Sequence, residues 1–68
     1  MMNEYAKLIW QKHTSGQILT NDEVVNGRQI FKDLAKDLGE CFGWQQAAVE
    51  CHRFHNLLCE MANMRGVD

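Results

Sequence analysis

Leu19-Thr20-Asn21-Asp22-Glu23-Val24 is the stretch whose reading decides the fold of this chain. Thr20 and Glu23 have the spacing of a capping box: the Thr20 hydroxyl accepts from the Glu23 amide while the Glu23 carboxylate accepts from the Thr20 amide. Leu19 before the cap and Val24 in the first turn supply a hydrophobic staple, and Asp22 with Glu23 complements the positive end of the helix dipole. A helix therefore starts at Asn21. From there Val24, Gly27, Phe31, Leu34, Ala35 and Leu38 recur at spacings of three and four, which places them on one stripe, and Gly39 offers a left-handed stop. The spacing predicts a helix over 21–38.

Toward the N-terminus, Asn3 can cap a shorter helix reaching about His13, with Met2, Tyr5, Ala6, Leu8 and Ile9 turned inward and Thr14-Ser15-Gly16 as its turn. Toward the C-terminus, Trp44, Ala47, Cys51, Phe54, Leu58 and Met61 repeat in three-four steps, with His55 and Ala62 beside them and Gly66 as a stop. These predict a third helix over 44–64, with a seam suited to another long helix at a shallow angle. Between the two long segments, Gly39-Glu40-Cys41-Phe42-Gly43 can turn or can lie inside one continuous helix. Trp44 lacks a good capping residue before it, which argues for continuity. The apolar seam slips by one residue across the stretch, which argues for a break, and a turn is the reading taken.

The fold class expected is all-α: a single domain over 1–68 with a short N-terminal helix and a helical hairpin. Strand periodicity is missing, and proline is absent from the sequence. A chain of 68 residues buries only roughly 60% of its unfolded surface, and a core of that size rarely supplies more than about 3–5 kcal/mol. Small scaffolds find support in disulfides, metals or a second subunit. Cys41, Cys51 and Cys59 form an odd set and residues 1–10 carry no secretory leader pattern, so a disulfide framework is not expected and the cytoplasm is the expected location. The apolar runs fall far short of the roughly 20 residues needed to span a bilayer, so no membrane partner is expected.

With disulfides set aside, pairing with a second copy is the expected support, giving a homodimeric bundle in which Gly27 permits close helix approach and Phe31, Leu34, Phe54 and Leu58 form the central core. Trp10, Val25, Ile30, Val49 and Leu57 lie well off the stripes of their own helices and are the expected interface. On the second helix Arg28, Lys32 and Lys36 form a basic ribbon, with Asp22, Asp33, Asp37 and Glu40 on the outer face. That ribbon is expected to steer an acidic protein partner. A net charge of −2 gives no general attraction to nucleic acid.

Chemistry-bearing residues concentrate on the third helix. His55 and Cys59, at i and i+4, are the candidate metal ligands, but Cys51, His55 and Cys59 together span about 12 Å, too far for one zinc ion. A closed site would need Cys41 or His13 brought in by the fold, and the expectation is no metal and no cofactor. Cys51 and Cys59 are both near enough to His55 for nucleophile activation. A hairpin of this size is expected to lack a pocket of roughly 300 Å³ or more, so no enzymatic activity is expected.

Ala35-Lys36-Asp37-Leu38-Gly39 resembles the turn of phage Cro-type repressors, in which alanine and glycine four apart let two helices of a helix-turn-helix approach. The resemblance implies a DNA-binding regulator with a degenerate helix-turn-helix around 31–50, although Glu40 and Gln45 stand where that family carries apolar residues. It is the alternative to the favoured function, a small non-catalytic regulatory or adaptor protein of bacterial or phage type that acts through protein–protein interaction.

Overall fold

The structure is a computed structural model that describes residues 3–67. Three helices follow one another: α1 (Glu4–Thr14), α2 (Asn21–Gly39) and α3 (Gln45–Arg65), with no strand among the described residues. This is the all-α arrangement of a short helix and a helical hairpin. The Asn3 side chain accepts from the Ala6 amide at 2.7 Å and caps α1. Both halves of the Thr20–Glu23 capping box are present, at 3.1 and 2.8 Å, and Leu19 and Val24 are buried beside it.

The hairpin is antiparallel along its whole length. Gly27 sits against Leu58, the Arg28 carbonyl meets His55, Gly39 approaches Ala48, and Arg65 at the end of α3 donates to the Leu19 carbonyl and the Asn21 side chain at 2.7 and 3.1 Å. In a helix-turn-helix the two helices cross at roughly 90–120°. Here α2 and α3 stay side by side, so the Ala35–Gly39 segment lies within α2 and is not the turn of such a motif.

α1 lies across the half of the hairpin farther from its turn. Ala6 and Ile9 are buried, and Ile9 faces Gly27 together with Leu58. A Cβ at Gly27 would lie 3.1 Å from Ile9 Cδ1 and 3.2 Å from Leu58 Cδ1, so the three helices converge where a side chain is missing. An aromatic group locks the next turn toward the hairpin loop: Phe31 and Phe54 meet edge to face at 4.7 Å between centroids, and Trp10 meets Phe54 edge to face at 5.1 Å.

Several expectations are corrected. Leu8 is 46% exposed, because α1 touches the hairpin along Ala6, Ile9, Trp10 and His13 and Leu8 falls on the other side. Met2 lies outside the described residues. Gly39 is the last helical residue of α2, Glu40 caps it in right-handed geometry, and the left-handed glycine of the turn is Gly43 at φ 86°. Trp44 is not a seam residue. It precedes the first turn of α3, outside the helical period, and is 52% exposed. Leu34 is only half-buried, whereas Phe31, Phe54 and Leu58 are core as expected.

Glu23 joins the cap to the tertiary fold. Its carboxylate also receives the Lys12 ammonium of α1 at 2.7 Å, and both side chains are largely buried. The Lys12 hydrogen bond, followed by the Thr20 amide, holds the Glu23 carboxyl below the usual carboxylate range. A carboxyl with a depressed folded pKa stabilises the fold above its unfolded value and loses that contribution as pH falls through the folded one. Glu23→Gln is therefore expected to cost about 1–2 kcal/mol at neutral pH, from a weakened cap and a lost charge. In urea titrations the gap between variant and wild type should close as the pH drops below about 4. A gap that stays constant into acid would place the stabilisation elsewhere.

Candidate interaction surfaces

The hairpin leaves two unlike grooves between α2 and α3. Because α1 is short, the half of the hairpin nearer the turn has no third helix on it. On the side where α1 lies, the uncovered part forms an open apolar cleft of about 350 Å³ lined by Trp10, Leu34, Leu38, Trp44 and Ala47, with Phe31 and Cys51 at its floor. The expectation that no pocket of such size would form is thereby corrected: Trp10 and Trp44 stand as walls at the two ends, and two bulky side chains are enough to deepen an otherwise shallow groove. Glu50 is the charged residue at its edge, and Arg53 partners it at 3.3 Å. At the tip of the hairpin Phe42 is fully exposed.

The opposite side of the hairpin is cationic. Lys32 and Lys36 of α2 face His52 and Arg53 of α3 across a floor of Ala35, Ala48 and Val49. Two members of the basic ribbon thus gain two partners from α3 that the one-helix reading did not include. The signal was present in the sequence, since His52 and Arg53 fall on the flank of α3 that an antiparallel α2 would meet. Arg28 lies a turn away and lines a separate depression with Tyr5, Val25 and Ile30.

The five residues expected at an interface are not brought together. Trp10 walls the apolar cleft, Val49 floors the cationic groove, Val25 and Ile30 share the depression near Arg28, and Leu57 is half-buried against the core. Leu34, Leu38, Trp44 and Ala47 form the cleft instead. Off-stripe apolar residues point in different directions from each helix, and only packing decides which of them become neighbours.

Among the cysteines and histidines, Cys51 is buried, and desolvation with the nearby Glu50 pushes its thiol up, consistent with a packing role. His55 and Cys59 do meet, with Sγ 3.5 Å from Nε2. His13 packs against Phe54 with ring centroids 4.8 Å apart, and Cys41 lies at the hairpin turn with its thiol donating to the Asp37 carbonyl, so both have other neighbours than that pair. No group of three or more His, Cys, Asp or Glu side chains among the described residues is placed to hold a metal ion. None of the described helices is long and apolar enough to cross a membrane.

Comparisons with protein-family models, with curated proteins and with solved structures find no match. The class defined by fold and surface is thus a small three-helix protein bearing one apolar and one cationic groove.

Proposed function

We propose that this chain is a non-catalytic interaction protein that pairs with itself through the apolar cleft and presents its cationic groove to an acidic protein partner. The observation that carries the reading is the cleft itself, continuous with exposed Trp44 and close to exposed Phe42 on a chain whose own core is thin. A two-fold contact sets a patch against its own copy. The cationic groove would then place Lys32 and Lys36 against like charges, which opposes pairing there. The cleft carries only Glu50, already compensated by Arg53. Pairing on that side buries apolar surface and leaves the cationic groove facing outward.

Light scattering across a dilution series tests this. The wild type is expected at twice the 7.9 kDa monomer mass, and Trp44→Glu at the monomer mass with its helical circular dichroism retained, since Trp44 is half exposed already. Val49→Glu, on the cationic side, is expected to leave the dimer intact. A wild type that stays monomeric at every concentration, or a dimer broken by Val49→Glu and not by Trp44→Glu, would overturn the self-pairing. The DNA-binding alternative draws little support from an antiparallel hairpin.

A further inference from the structure

We infer that Cys59 is a reactive thiol, activated by His55, that forms mixed disulfides with low-molecular-weight disulfides of the glutathione type. Three groups stand in line. The His55 Nδ1 lies 2.7 Å from the Arg28 carbonyl oxygen across the hairpin, and the His55 Nε2 lies 3.5 Å from Cys59 Sγ. A carbonyl can only accept, so Nδ1 carries the ring proton and, in the neutral imidazole, Nε2 presents its lone pair. That lone pair faces the Cys59 thiol. Nucleophile, base and an orienting group that fixes the base's tautomer are the arrangement that activates a thiol. The orienting group here is backbone in the middle of α2, held by the helix, so the imidazole is positioned without a second flexible side chain.

Through His52 the pair borders the cationic groove, whose lining includes neither His55 nor Cys59. His52 lies beside His55, with ring centroids 5.9 Å apart, and belongs to the cationic groove with Lys32, Lys36 and Arg53. Cys59 is half-buried and not sealed from solvent, so a small disulfide can approach the residue. The exchange balances without an external oxidant. The Cys59 proton passes to His55 Nε2, the thiolate attacks one sulfur of the disulfide, the S–S bond breaks as the new one forms, and the departing thiolate recovers the proton from His55. One protein thiol becomes a mixed disulfide and one small thiol is released.

The other two cysteines are internal controls. Cys41 is exposed but its thiol faces only the Asp37 carbonyl, and Cys51 is buried. Full-length protein is incubated with glutathione disulfide near neutral pH, and the rate at each cysteine is followed by mass spectrometry of proteolytic fragments. Cys59 is expected to react about tenfold faster than Cys41 despite its lower exposure. His55→Gln should remove that advantage at Cys59 and leave the Cys41 rate unchanged, which a general loss of structure would not do. Cys41 reacting as fast as Cys59 in the wild type would overturn the inference, as would His55→Gln leaving the Cys59 rate where it was.

Discussion

Phe54→Ala is expected to leave the chain largely unfolded at room temperature. Phe54 is 4% exposed and has more aromatic neighbours than Phe31 among the described residues: Trp10 and His13 of α1, and Phe31 of α2. Truncating a buried phenylalanine removes its transfer free energy and leaves a cavity, together about 3–5 kcal/mol. A core of this size supplies about the same amount in total. The loss of one side chain is therefore comparable to the whole margin. Circular dichroism should show most of the helical signal gone, and urea titration no pre-transition baseline. Phe42→Ala makes the contrasting case, since Phe42 is fully exposed, and should leave the urea midpoint unchanged. A cooperative Phe54→Ala transition near the wild-type midpoint would mean that the aromatic cluster is not the centre of the core.

Gly27→Val is expected to show the second largest effect, and comparison with Gly27→Ala separates its causes. Alanine gains roughly 1 kcal/mol of helix propensity over glycine. Against that, its methyl meets Ile9 Cδ1 at 3.1 Å and Leu58 Cδ1 at 3.2 Å, both ends of side chains that can shift by tenths of an ångström, so Gly27→Ala should be near neutral. Valine adds two further carbons where Ile9 and Leu58 are already fully buried, and overpacking of that kind costs about 1–3 kcal/mol. The strain should be relieved by displacing α1, which is held by few buried residues, chiefly Ala6 and Ile9. Fluorescence of Trp10 should then report a more solvated indole together with a lowered urea midpoint. Equal stability of the valine and alanine variants would show that the convergence at Gly27 is looser than its distances indicate.

The legible parts of this molecule are the ones whose causes are local. Asn3, the Thr20–Glu23 box and Gly66 mark helix ends because each satisfies backbone groups within a few residues of itself, and all act at their predicted positions. The three-four spacing of Phe31, Leu38, Cys51, Phe54 and Leu58 identified the buried stripes of α2 and α3, since helical period and burial are linked by geometry alone. Gly39 and Gly43, four apart, offer the same local option for a left-handed stop, so local sequence does not separate them. Gly43 takes it instead, and α2 continues through Gly39, which packs near Ala48 of α3.

The surfaces were less legible. Trp44 has the spacing of a seam residue but precedes its helix, and Leu34 has a core position that α1 is too short to cover, so together with Leu38 and Ala47 they line a cleft. His52 and Arg53 join Lys32 and Lys36 only because two helices far apart in sequence run antiparallel. The His55 tautomer likewise depends on a carbonyl 27 residues away. By itself the sequence determined the number of helices, where α1 and α2 begin, where α3 ends and most of the stripe each long helix buries, because capping and periodicity are properties of neighbouring residues. Only the tertiary structure decided which side chains share a groove, because that depends on how far α1 extends across the hairpin and on the register between α2 and α3.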